Sequence, residues 1–180
     1  MAFVRKGRVK TKAEADQPDI HTSEDLLLYA EKKGIKTDPL NIAELAHELG
    51  IVVRYEPMDG DDSGSLEMND KENRWIMTIN SLHHPHRQRF TMAHELGHFI
   101  KHSPISSRFH DTNFFRNSES NQMETEANNF AADLLMPKDK FDYFVQNKSA
   151  SAEAVAEYFQ VSTIAARVRA KQLGYTGHGL

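Results

Sequence analysis

The chain has 180 residues, 39% of them hydrophobic and 27% charged, and carries a formal net charge of −4. That length supports one domain with a substantial core. The absence of cysteine excludes disulfides, thiolate metal sites and thiol nucleophiles, so any bound metal must be held by His, Asp or Glu. No apolar run reaches membrane-spanning length and the first residues lack a signal-peptide core, which gives the cytoplasm as the expected location and no membrane partner.

Residues 1–20 read as a basic, disordered tail, within which residues 1–12 carry Arg5, Lys6, Arg8, Lys10 and Lys12 and no acid, +5, leaving −9 on the remaining 168 residues. An acidic body argues against direct DNA binding by the domain itself. "HTSEDLLLYAEKKG" predicts a helix capped by Thr22 or Ser23 and stopped at Gly34. "DPLNIAELAHELG" predicts a second, with Asn41 as cap and Gly50 as stop. "IVVRYEP" is rich in β-branched residues and reads as a strand. "DGDDSG" is a turn, and "SLEM" with "RWIMTIN" form a hairpin around "NDKEN". The hairpin offers an edge along which an extended peptide could pair, or serves as an ordinary half-buried sheet. "RFTMAHELGHFIKH" is a further helix. The polar run "SPISSRFHDTNFFRNSESNQ" then reads as a loop, unusually long for a compact domain and so a functional or mobile one. A helix follows over 123–136, stopped by Pro137, and two or three short helices close the chain.

The helix through residues 89–102 carries the chemistry. At about 100° per residue, His94 and His98 stand one turn apart on a single face, where both rings reach one ion. Thr91, Glu95, Lys101 and His102 share that polar wedge, and the remaining arc is apolar. Gly97 is costly in a helix by up to about 1 kcal/mol relative to Ala, which makes sense where another backbone packs closely. The H-E-x-x-H pattern places two imidazoles on a metal and a carboxylate beside it. The metal acidifies water and polarises a carbonyl, and Glu95 takes the proton as general base and passes it to the leaving amine. His102, one further turn on, reads as solvated or as a residue orienting a ligand.

In "METEANNFAADLLMP" the third ligand is expected at Glu124. It falls on the apolar, core-facing side of its helix, with Asn128 one turn on, whereas Glu126 and Asp133 face water. A carboxylate turned toward a core needs a compensating charge, which a metal supplies; a buried salt bridge is the competing role. Asn128 is expected to orient a ligand. Two histidines and one glutamate leave a fourth position for water, as catalytic zinc requires. The electrophile for the oxyanion is left open among Tyr143, His102, His110 and Arg108.

With those residues in place the chain resembles the ImmA/IrrE family of zinc-dependent metallopeptidases. The resemblance rests on "RQRFTMAHELGHFIKH", "ETEANNFAADLLMP", "DPLNIAELAHELGIVVRY" and "WIMTIN", and covers roughly 38–138. It implies an α+β, gluzincin-like fold: a small, mainly antiparallel sheet packed on the H-E-x-x-H helix, with further helices. It also implies Zn2+ held by His94, His98 and Glu124, with Glu95 as base; Asn128 stands where relatives often have Asp. The implied substrate is a helix-turn-helix repressor encoded nearby, often on a mobile genetic element, whose cleavage relieves repression. The expected organisation is a tail (1–20), a metallopeptidase domain (21–138) and a helical extension (139–180). That extension, "SASAEAVAEYFQVSTIAARVRAKQLGY", looks like a helix-turn-helix with Arg167, Arg169 and Lys171 on its second helix. The competing function is therefore a DNA-binding or repressor-sequestering regulator, as in toxin–antitoxin-like modules, with a merely structural metal.

Overall fold

The computed structural model describes residues 19–60, 62–110, 118–177 and 180; most of the expected basic tail lies outside them. Local signals set the first elements. Helix α1 (Ser23–Lys32) is capped by Thr22, whose side chain accepts from the Asp25 amide while the Asp25 carboxylate accepts from the Thr22 amide. This reciprocal pair satisfies two of the amides a helix start leaves open. Helix α2 (Ile42–Glu48) is capped by Asn41 as expected.

Strand β1 (Val52–Glu56) leads to the hairpin of β2 (Gly64–Asn69) and β3 (Arg74–Asn80). The Asn69 side chain accepts from the amides of Lys71 and Glu72. Asn73 takes the left-handed conformation, which asparagine tolerates better than most residues. The sheet order is β1-β3-β2-β4. β1 runs parallel to β3, with Val52 opposite Ile76, and the β2–β3 and β2–β4 pairs are antiparallel.

The polar run after His102 is not all loop. Residues Arg108–His110 form β4, with Leu66 opposite Phe109. Helix α4 (Ser118–Leu135) begins earlier than its apolar pattern does. An isolated three-residue strand has no periodicity to detect, and the polar first turns of α4 carry no apolar stripe. β4 also covers the outer side of β2 over Ser65–Glu67. The hairpin is thus interior to the sheet there, and β1 and β4 are the edges among the described strands.

Helix α3 (Pro85–His102) starts with Pro at its first position and lies on the sheet, a placement that proline's fixed φ favours. Leu96 and Ala93 of α3 are fully buried with Leu66, Met77 and Ile79 of the sheet. Helices α5 (Lys138–Asn147), α6 (Ala152–Phe159) and α7 (Thr163–Gln172) complete the described chain. Phe141, Val155, Phe159 and Ala166 join the same buried cluster as Leu96 and Leu134. No described helix is long and apolar enough to cross a membrane.

Candidate metal centre

Two helices face each other to build the site. On α3, His94 and His98 are both buried and turned toward α4. Gly97, between them in sequence, lets α4 come close: a Cβ at position 97 would stand 3.0 Å from Ala127 Cα and 3.1 Å from Ala127 O. Glu124, one turn before Ala127, reaches the imidazoles. Its carboxylate oxygens lie 3.2 Å from His94 Nε2 and 3.3 Å from His98 Nε2, and the two Nε2 atoms are 3.0 Å apart. The donors of a tetrahedral zinc shell, with bonds of about 2.0–2.2 Å, stand about 3.3 Å from one another.

The outer bonds decide which atoms face inward. His94 Nδ1 donates to Asn128 Oδ1 at 3.1 Å, so a neutral His94 presents a lone pair at Nε2. His98 Nδ1 lies 3.0 Å from His102 Nδ1, and His102 Nε2 lies 3.1 Å from Glu126 Oε2. Lone pairs on neighbouring nitrogens and a carboxylate aimed at one point repel unless a cation lies between them. His94, His98 and Glu124 could therefore hold a metal ion together. Burial pushes the Glu124 carboxyl up, but the His94 and His98 imidazoles against it outweigh that and hold the group at about 2. Burial pushes the His98 imidazole below its ordinary value, with Glu124 opposing. Both directions leave the donors in the charge states a metal needs: carboxylate and neutral imidazole.

Glu95 is completely buried, on the side of α3 that meets β2. Gly64 makes the space. A Cβ there would lie 2.6 Å from Thr91 Cγ2, 2.9 Å from Thr78 O and 3.5 Å from Glu95 Oε1. Of the groups considered for the oxyanion, Arg108 pairs with Glu67 at 3.2 Å and Tyr143 is exposed on α5.

The structure thus brings together His94, His98, Glu124 and Asn128, with Glu95 next in sequence to His94. Of the two roles open to His102 in the sequence, the structure shows it buried and in contact with His98 rather than solvated. Glu126 stays exposed, as expected, while giving one oxygen to His102 and accepting from Gln122 at 2.8 Å with the other. These two contacts, Gln122 first, hold its carboxyl below the ordinary range. Sequence held one signal for His102, the recurrence of histidine at 94, 98 and 102, which puts three rings along one helix face. Nothing local marked Phe109, whose ring stacks on His98 with centroids 4.7 Å apart.

Fold and site define a class: an α+β domain of the metalloprotease type, with an H-E-x-x-H helix and a glutamate from the helix after it. The family described as the IrrE N-terminal-like domain, peptidase M78, matches residues 46–171. The radiation response metalloprotease IrrE of Deinococcus deserti is 34% identical over 126 residues, 68% of this chain and 42% of that protein. The chain belongs to the ImmA/IrrE family. A transcriptional regulator of Mycobacterium tuberculosis has a similar fold, with a TM-score of 0.58 at 16% identity over 88% of this chain and 48% of that one.

Proposed function

We propose that the chain is a zinc-dependent endopeptidase, and that its substrate is a helix-turn-helix repressor encoded nearby whose cleavage in the cytoplasm relieves repression. The observation that carries the peptidase reading is the convergence of two buried imidazoles and the Glu124 carboxylate within hydrogen-bond distance of one another, with buried Glu95 next in sequence. The repressor rests on the family resemblance alone.

A zinc ion bound there would polarise the scissile carbonyl and acidify the attacking water. The chain's own residues do the rest. His94, His98 and Glu124 supply the donors, and Asn128 fixes the His94 ring through Nδ1. Glu95 accepts the water proton on its carboxylate and returns it to the leaving amine. Residues 21–138 form the catalytic unit in this reading, and 139–180 a helical extension that packs on it or grips the substrate.

The DNA-binding alternative loses support from the second helix of that extension. Arg169 is buried, donates from Nε to Met136 O at 3.0 Å and pairs with Asp133 at 2.7 Å. Arg167 pairs with Glu153 at 3.2 Å. Base reading needs such side chains extended into a groove.

Co-expression with the neighbouring repressor-like gene product, followed by intact-mass measurement, tests the proposal. Wild-type protein should yield two fragments. Glu95→Gln should keep its metal and slow cleavage by roughly 10²–10⁴-fold, the usual worth of a general base. A repressor bound but left whole by both proteins would establish sequestration instead.

A further inference from the structure

Two ligand histidines need their outer nitrogens occupied, and the structure treats them differently. His94 is held by the amide of Asn128, a neutral group on the facing helix. His98 is held by another imidazole, which is itself held by a carboxylate from α4. Donor and acceptor roles along this row follow from chemistry. Glu126 is a carboxylate at neutral pH and only accepts. His102 Nε2, 3.1 Å from it, must therefore carry hydrogen. A neutral His102 then has only a lone pair at Nδ1 and accepts, so the hydrogen between the two rings belongs to His98 Nδ1. His98 is left with its lone pair at Nε2, facing Glu124 and His94.

From this geometry we infer that His102 and Glu126 form a positioning pair, fixing the tautomer and ring angle of His98 for metal binding. The inference rests on the metal centre proposed above. Neither residue reaches the donor cluster of His94, His98 and Glu124; their effect passes through His98. The Phe109 ring, stacked at 17° on the His98 imidazole, restrains the ring plane, and the hydrogen bond to His102 sets its rotation within that plane. Outer partners of this kind strengthen a ligand by holding it in register and raising its basicity, and their loss typically costs 10–100-fold in metal affinity.

Zinc affinity of purified full-length protein, measured by competition with a chromophoric chelator, tests the pair without reference to proteolysis. His102→Leu removes the acceptor and should weaken zinc binding about 10–100-fold. His102→Asn places an amide oxygen near the position of Nδ1 and should recover most of that loss. Glu126→Ala changes a partly exposed residue and should weaken binding several-fold, whereas Glu126→Gln, whose amide oxygen still accepts, should do so less. The absorption spectrum of the cobalt-substituted protein should shift in His102→Leu and return toward wild type in His102→Asn. Equal losses in His102→Leu and His102→Asn would reduce His102 to packing and overturn the inference. If His102→Leu fails to fold, Glu126→Ala decides, and unchanged zinc affinity there overturns it as well. Wild-type protein that takes up no zinc would overturn the proposed function itself; wild-type uptake with indifferent variants would overturn the positioning pair alone.

Discussion

Glu124 and His98 show how the surroundings of single side chains set the response to acid. His98 is held neutral: its imidazole lies below the ordinary value of 6.5 because burial penalises its charged form. For such a group the unfolded chain takes up the proton first. Its contribution to stability is present above about pH 6.5 and is lost as pH falls through the depressed value. Glu124 works in the other window. Held at about 2 against an ordinary 4.5, it contributes fully above 4.5 and loses that only as pH falls toward 2. Between pH 7.5 and 5.5 the His98 effect acts alone of the two. Urea unfolding of metal-free protein should therefore show lower stability at pH 5.5, and zinc uptake should weaken over the same interval as protons compete for the nitrogens. Glu124→Ala should lower zinc affinity by more than the roughly 10–100-fold that the loss of an outer partner costs, measured by the same chelator competition at pH 7.5.

The two glycines that make room for the site give the predictions at the level of elements. Gly97→Ala improves intrinsic helix propensity by up to about 1 kcal/mol. Its methyl group would meet backbone atoms of Ala127 at 3.0 and 3.1 Å, and backbone does not rotate away. The expected net result is a loss of about 1–2 kcal/mol in chemical denaturation, with weaker zinc binding as α4 and Glu124 are pushed from α3. Gly64→Ala meets Thr91 and the Thr78 carbonyl more closely still, so a larger loss is expected. Sequence showed Gly97 as a misfit in a helix and hence as a close approach. Gly64 looked like the end of a turn, because its neighbours across space come from β3 and α3. The same contrast separates α3 from β4. The periodicity of "FTMAHELGHFI" announces a helix with one polar wedge, and Glu124 was legible from its own helical face. β4 is defined only by its pairing to β2, a contact that no window of residues 103–117 contains.

Across the whole molecule, one buried cluster runs from α1 through the sheet to α7, and Arg169 is a structural member of α7. Its guanidinium crosses to the end of α4, where it meets Asp133 and the Met136 carbonyl. Arg169→Met should cost about 1–2 kcal/mol in urea unfolding, since Asp133 remains partly solvated once the arginine is gone. Retention on a DNA column should be unaltered by the change, where a base-reading arginine would lower it. The helix-turn-helix likeness in the sequence of 149–175 was an accurate reading of two short helices, which the structure shows capped by Ser151 and Ser162. It could not show that the second helix turns its arginines toward α4 and α6.

The donors of the proposed metal centre come from opposite sides of one interhelical seam, with His94 and His98 on α3 and Glu124 on α4. An ion seated there would act as a rivet between them, so loading and rigidity would rise together. At a zinc concentration 100 times the dissociation constant the added resistance to unfolding is about 2.7 kcal/mol. A melting curve recorded against zinc would then serve as a gauge of occupancy, and a chelator would loosen the seam before any peptide was offered to it.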